Sequence, residues 1–488
     1  MNLKITDNYR NNIVIIFTKK FIMTLIKSIS GIRGTLGGEP NENLTPVDIV
    51  KYTSAYGHFL KYHYPGEHIT VVVGRDARVS GKIIQNIVVS TLQSMGIDVY
   101  LLGLATTPTT EIAVTEFGAH GGIIITASHN PFNWNALKLL NNKGEFLSEN
   151  DGKHVLLNAN TQHFKYVDSY NFGKLIEINN FHQQHIKKIL NLDLVNVKEI
   201  KKAKFTVAID GINSVGGIVI PELLKKLGVK KVLKLNCTAN GLFKHNPEPL
   251  PENLTQIISL IKRKKIDVGF VVDPDVDRLA IVCEDGTLFG EEYTLVAVAD
   301  YVLQHKPGNT VSNLSSTMAL KEITEKYKQK YFAAPVGEVN VVEKMKEVDA
   351  VIGGEGNGGI IYPELHYGRD ALVGIALFLS YLATSGLECS ELRKKYPFYP
   401  MAKKKIEITD NLKPDFILEE ISKIYSGYQQ NKQDGLKIYF SEGWLHMRKS
   451  NTEPIIRIYA EAKSNAFLEN ILNQIEIQIN AIIKNYPD

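Results

Sequence analysis

Cysteine is scarce in this chain: Cys237, Cys283 and Cys389 are the only three in 488 residues. An odd number, widely spaced and set mostly in apolar or helical sequence, makes no disulfide framework. It fits reduced packing residues and a cytoplasmic location. A membrane-length apolar run is missing from the N-terminus, where Ile13-Val14-Ile15-Ile16-Phe17 stops before Lys19-Lys20. Five residues are far fewer than the roughly 20 that a spanning helix needs, and no small-residue cleavage site follows, so neither a span nor a signal peptide is expected. An excess of one charge is also absent. The 56 basic and 52 acidic residues leave a net +4, which gives no case for a nucleic-acid partner. The composition, 44% hydrophobic and 22% charged, is that of an ordinary globular protein. At about 100 to 200 residues per domain the length implies three or four domains.

What the chain does have is four polar loops, each placed against an apolar strand. The first is Thr126-Ala127-Ser128-His129-Asn130-Pro131 after Gly121-Gly122-Ile123-Ile124-Ile125. A β-branched run ending in such a turn reads as a buried strand delivering a hydroxyl to the mouth of a sheet, with Ser128 as candidate nucleophile. Alternatively, Ser128 caps a following helix. The second is Asp273-Pro274-Asp275-Val276-Asp277-Arg278 after Val271-Val272. Three carboxylates on one turn are unfavourable unless a cation neutralises them, and oxygen ligands without Cys or His favour magnesium over zinc. Glu284 fits the twelfth position of a calcium loop, yet Arg278 stands where that loop needs glycine. A phosphatase with Asp273 as nucleophile and Asp275 as acid remains a rival.

The third loop is Gly353-Gly354-Glu355-Gly356-Asn357-Gly358-Gly359. Its glycines allow close backbone approach, and Glu355 and Asn357 suit vicinal hydroxyls, so a sugar is its natural ligand. A nucleotide-binding turn is the alternative, although the loop has neither P-loop nor dinucleotide spacing. The fourth is Arg448-Lys449-Ser450-Asn451-Thr452-Glu453-Pro454, with Arg457 close behind. Arg448, Ser450, Asn451, Thr452 and Arg457 together suit a phosphate dianion. A solvated hairpin is the bland alternative.

In this order the four loops resemble the α-D-phosphohexomutase family, from about residue 26 to the C-terminus. Ser30-Gly31-Ile32-Arg33-Gly34-Thr35 resembles the family's N-terminal active-site loop, and Lys138 lies ten residues after Ser128, where the family carries a basic catalytic residue. The resemblance implies a phosphoserine at Ser128 and a sugar 1,6-bisphosphate that serves as intermediate and activator. It implies one Mg2+ per site, held by Ser128, Asp273, Asp275 and Asp277. Lys138 and Arg33 are implied in proton transfer and charge stabilisation, Arg33 being the poorer base. Arg278 would orient the acidic loop or touch the bisphosphate, and His129 either bonds the phosphoryl group or is structural. Glu355 and Asn357 would hold the 3- and 4-hydroxyls in both substrate orientations. The expected partner is a phosphosugar, and the protein a monomer or homodimer.

The chain departs from the family's common Glu-x-Ser-Gly-His sugar loop, with Asn357 for the Ser and Gly359 for the His. Glu338, in Val336-Gly337-Glu338, stands where some hexose-specific members have histidine, although a carboxylate also suits a helix start. Position 2 of the sugar is read by neither Glu355 nor Asn357, and whole-chain similarity favours glucosamine phosphate, with mannose or glucose phosphate as the alternative. A hydrolase using Asp273 and a non-catalytic phosphosugar sensor are the competing classes.

The periodicity predicts three similar α/β domains with largely parallel sheets and a smaller α+β domain around a central cleft. Strands are predicted at 68–73, 98–102, 205–209, 231–235, 269–272, 310–314, 403–408, 436–440 and 455–460. Helices are predicted at 82–94, 217–227, 291–303, 317–327, 413–425 and 466–484. The expected division is an N-terminal extension, 1–22, without a derivable role, then domains at 23–172, 173–287, 288–397 and 398–488.

Overall fold

The computed structural model describes residues 23–28, 31–408, 413–449 and 455–484. The extension 1–22, Ser30, and the loop residues Ser450, Asn451 and Thr452 lie outside them.

Four sheets follow one another along the chain. The first has seven strands, and its inner strands Thr70–Arg75, Asp98–Leu104 and Gly121–Ile125 run parallel, with the β-branched runs Val71-Val72-Val73 and Ile123-Ile124-Ile125 fully buried. The second and third have four strands each, with parallel pairs around Thr206–Asp210 and Asn309–Asn313. The fourth is a five-stranded antiparallel sheet covered by helices Pro414–Ile424 and Asn465–Lys484. The architecture is therefore the expected one, mixed α/β units followed by an α+β unit.

Two features differ from the sequence reading. Strand Leu175–Glu177 pairs with Asp98–Leu104, so the first unit extends past residue 172. One apolar core also runs from Ile186 to Tyr396, continuous across the 287/288 division, because helix Ala371–Ser385 is apolar on nearly every face and packs against both neighbours.

A second strand follows every motif loop. Gly121–Ile125 returns as Trp134–Leu140, Val268–Val272 as Leu279–Cys283, Ala350–Glu355 as Gly359–Ile361, and Gly443–Lys449 as Ile455–Ala462, each antiparallel to its predecessor. No helix follows Ser128, so its helix-cap alternative falls away. These return strands have no clean alternation because both faces are covered, which is why periodicity missed three of them.

The fourth unit docks on the third through polar contacts. Lys437 donates to the Leu314 carbonyl at 2.6 Å with its ammonium 3.8 Å from the Trp444 ring, and His446 meets Ser315 at 2.9 Å. Glu461 accepts from the Met318 and Trp444 N–H groups. Burial pulls Lys437 from 10.5 to about 7 and His446 to about 4. Below about pH 7 Lys437 is charged in both folded and unfolded chains, and the full burial cost is present. Between about 7 and 10.5 the unfolded chain binds more protons, so stability rises with pH. The melting temperature is expected to rise across that window in the wild type, and Lys437→Met to flatten the rise.

Candidate active site

Ser128 sits in the left-handed region, with φ of 48°, and Val276 in the acidic loop does the same at 63°. Such a conformation is uncommon for serine and unfavourable for a β-branched residue, so surrounding structure must hold it. For Val276 that hold is its side chain in the shared core and its carbonyl, which accepts from Ala371. For Ser128 it is Arg78. The Arg78 guanidinium, 1% exposed, donates to the carbonyls of Ser128, Asn130, Pro131 and Trp134 at 2.6 to 3.0 Å and to Asp76 at 3.1 Å. Asp76 in turn accepts from Thr126 at 2.7 Å, and the Thr126 hydroxyl accepts from the Ser128 N–H.

This loop brings Ser128 Oγ to 2.6 Å from Asp273 Oδ2, to which it donates, and to 3.3 Å from His129 Nδ1. The other Asp273 oxygen accepts the Asp277 and Arg278 N–H groups. Asp275 accepts from Thr107 at 2.6 Å and from Lys138 at 2.7 Å, and Lys138 also reaches Asp277 at 3.4 Å. The three aspartates are fully buried and offer ligand oxygens within 4.8 Å of one another. Asp275 Oδ1 and Asp277 Oδ1 make no hydrogen bond among the described residues. Orphaned buried carboxylate oxygens in an all-oxygen set fit a small hard cation.

The charges follow the geometry. Burial, with Asp277 and Asp275 nearby, pushes the Asp273 carboxyl well above its usual range. Burial would raise Asp277 too, but Arg369, Lys138 and Arg278 outweigh it and hold that carboxyl well below the ordinary value. Burial would lower Lys138, yet Asp275 and Asp277 raise it. Its ammonium lies between the two carboxylates, 2.7 Å from Asp275 and 3.4 Å from Asp277. Burial and Arg278 push His129 well below its usual value, leaving a neutral ring beside the hydroxyl. Burial, with Arg278 and Arg369, also lowers Arg33.

Two further segments complete the site. Glu355 accepts from Asn313 at 2.9 Å, the Gly337 N–H at 3.2 Å and Arg369 at 2.8 Å, while Asn357 closes its own loop by accepting from Gly359. Arg448 and Arg457 are directly opposed on neighbouring antiparallel strands, flanking the fourth loop. Like charges so placed repel unless an anion lies between them. Arg448 also pairs with Asp434 at 2.7 Å, and Asp434 accepts from the Val336 N–H, which ties this strand to the Gly337-Glu338 segment. Arg278 lies 3.7 Å from Glu248 and 3.9 Å from Asp277.

The structure brings Ser128, Lys138 and the aspartates into contact, and beside them it sets Arg78, Thr107 and Arg369, with Glu111 in the same buried region, none of which the sequence reading singled out. Glu111 is buried beside His366, which with Asp370 and His185 joins the first three units. The signal available for Arg78 was Gly74-Arg75-Asp76-Ala77-Arg78 at the end of a buried strand, the same strand-then-polar pattern as the other loops.

Comparison with known proteins gives the same order of parts. Family profiles described as phosphoglucomutase/phosphomannomutase, alpha/beta/alpha domains I, II and III, match residues 25–165, 183–286 and 290–399, and that family's C-terminal domain matches 405–478. A phosphoglucomutase/phosphomannomutase of Thermococcus kodakarensis is 35% identical over 88% of this chain and 94% of its own. A phosphoglucosamine/phosphogalactosamine mutase of Sulfurisphaera tokodaii is 31% identical over 91% and 97%. The crystal structure of a phosphoglucomutase/phosphomannomutase family protein from Burkholderia thailandensis superposes with a TM-score of 0.81 at 24% identity, covering 97% of this chain and 99% of that one, which supports the fold. With the serine, the acidic triplet and the glycine-rich loop converging as described, the chain belongs to the phosphoglucomutase/phosphomannomutase family, the phosphohexomutases, and is an isomerase that moves a phosphoryl group within a phosphosugar.

Proposed function

We propose that the protein interconverts glucosamine 6-phosphate and glucosamine 1-phosphate, with Ser128 as phosphoryl carrier. The observation that carries the chemistry is the 2.6 Å contact from Ser128 Oγ to Asp273 within a buried triplet of aspartates. Phosphorylated Ser128 gives its phosphoryl group to the free hydroxyl of the sugar monophosphate: the P–Oγ bond breaks, a P–O bond to the sugar forms, and the proton of the attacking hydroxyl ends on the departing Ser128 Oγ. The 1,6-bisphosphate turns over, and Ser128 takes back the other phosphoryl group. Asp273, Asp275 and Asp277, with the seryl phosphate, would hold Mg2+, which supplies Lewis-acid polarisation of a phosphoryl oxygen. Lys138, Arg33 and Arg278 place fixed positive charge around the transferring group. His129, neutral and near Oγ, is placed to hydrogen-bond it.

Glu355 and Asn357 would take the sugar hydroxyls, and Arg448, Ser450, Asn451, Thr452 and Arg457 would read the distal phosphate in either orientation. The amino sugar is supported by the relative named phosphoglucosamine/phosphogalactosamine mutase, and the relative named phosphoglucomutase/phosphomannomutase keeps mannose and glucose phosphates as the alternative. Phosphorus NMR on glucosamine, mannose and glucose 6-phosphates, with magnesium and a trace of bisphosphate, tests this. Glucosamine phosphate is expected to isomerise fastest, and chelation by EDTA to stop every reaction. Faster turnover of mannose or glucose phosphate would reassign the sugar and leave the chemistry intact.

A further inference from the structure

The Arg369 side chain joins three loops that belong to different parts of the site. Its Nη2 donates to Asp277 Oδ2 at 2.7 Å, its Nη1 to Glu355 Oε2 at 2.8 Å and its Nε to Glu338 Oε2 at 3.0 Å. Its backbone N–H also donates to Glu338 at 2.9 Å. Each direction of a rigid guanidinium fork thus meets a different carboxylate, an arrangement that a flexible ammonium could not reproduce. The residue itself is 8% exposed and cannot shift freely. Next to it, Asp370 caps helix Ala371–Ser385 and pairs with His185 at 2.8 Å, and the Ala371 N–H donates to the carbonyl of Val276 in the acidic loop.

Gly359 makes room for this side chain. A Cβ at position 359 would lie 2.3 Å from Arg369 Cδ, in the middle of the side chain and not at its mobile end. The glycine at that place and the arginine at 369 therefore form one steric unit. A histidine at 359 and the present course of Arg369 exclude each other. A second link runs beneath them, from the Leu279 N–H to the Gly358 carbonyl.

We propose that Arg369 is a positioning residue that locks the acidic metal loop and the sugar loop into one unit, with Glu338 as its fixed anchor. Holding Asp277 by Oδ2 leaves Oδ1 as the oxygen for the cation, and holding Glu355 by Oε2 fixes the carboxylate offered to the sugar. Loss of Arg369 disturbs both loops together, whereas an ordinary core arginine would change stability alone. The inference rests on the functional reading above.

The test measures two quantities on wild type, Arg369→Lys and Glu338→Gln: Mn2+ affinity, from the free-ion EPR signal, and kcat and KM for the phosphosugar. Both variants are expected to weaken Mn2+ binding about tenfold and to raise KM in parallel, as displaced outer partners of metal ligands do. Should Arg369→Lys fail to fold, Glu338→Gln, which keeps size and removes one anchor charge, carries the test alone. The double variant Gly359→His with Arg369→Ala is expected to be more active than Gly359→His, because it removes the collision. Variants that lower the melting temperature while leaving Mn2+ affinity and KM unchanged, or that change only one of the two, overturn the proposal. A wild type that binds no Mn2+ and isomerises no phosphosugar would instead sink the functional reading.

Discussion

Ser128→Ala is expected to lower isomerisation by at least about 10⁴-fold while leaving the protein folded. The carrier oxygen is lost, and the methyl group that replaces it can neither accept nor donate a phosphoryl group. The structural cost is small, since one hydrogen bond to Asp273 disappears and alanine meets the same left-handed backbone that serine already adopts, about 1 kcal/mol in all. Phosphosugar binding through the other loops should survive. Steady-state kinetics beside a thermal melt check both halves of this expectation. Phosphate release that continues in the variant would move the nucleophile to Asp273 and make the protein a hydrolase.

Arg78→Ala is expected to be the most destabilising single change near the site, about 3–5 kcal/mol, with activity lost even in the protein that remains folded. Removing the guanidinium strands Asp76, a fully buried carboxylate, and takes the donor from the carbonyls of Ser128, Asn130, Pro131 and Trp134. Those carbonyls have little water to turn to, and the left-handed Ser128 loses what holds it. Arg78→Lys keeps the charge but cannot reach four carbonyls and a carboxylate at once, so it should recover less than half of the stability. Urea unfolding of the three proteins measures this. A lysine variant within 1 kcal/mol of wild type and fully active would show that the clamp does not hold the loop.

Much of this was legible because each chemical group sits in a loop bounded by an apolar run. Local pattern offered Ser128, the aspartates and the sugar loop as candidates beside bland alternatives, the order of the four loops singled out one reading, and strands such as Lys231–Leu235 and Leu436–Phe440 matched their predicted bounds. What stayed hidden depended on distance in sequence. Nothing local to Arg369 says that its guanidinium reaches Asp277, 92 residues away, or that Arg78 clamps a loop about 50 residues on. The return strands were missed for a different reason, since burial on both faces removes the alternation that marks a strand. Lys138 was singled out through the family resemblance, but its contacts with Asp275 and Asp277 come only from the fold, which brings together residues 137 and 139 positions apart.

The central claim, that Ser128 carries the phosphoryl group, is tested most directly by incubating the protein with glucosamine 1,6-bisphosphate and Mg2+, then weighing the intact chain and mapping its peptides by mass spectrometry. One phosphoryl group per chain is expected on the peptide containing Ser128, removed when glucosamine 6-phosphate is added and recovered as bisphosphate. A phosphoryl group on the peptide containing Asp273, or a chain that takes up none while the bisphosphate is consumed, would contradict the account.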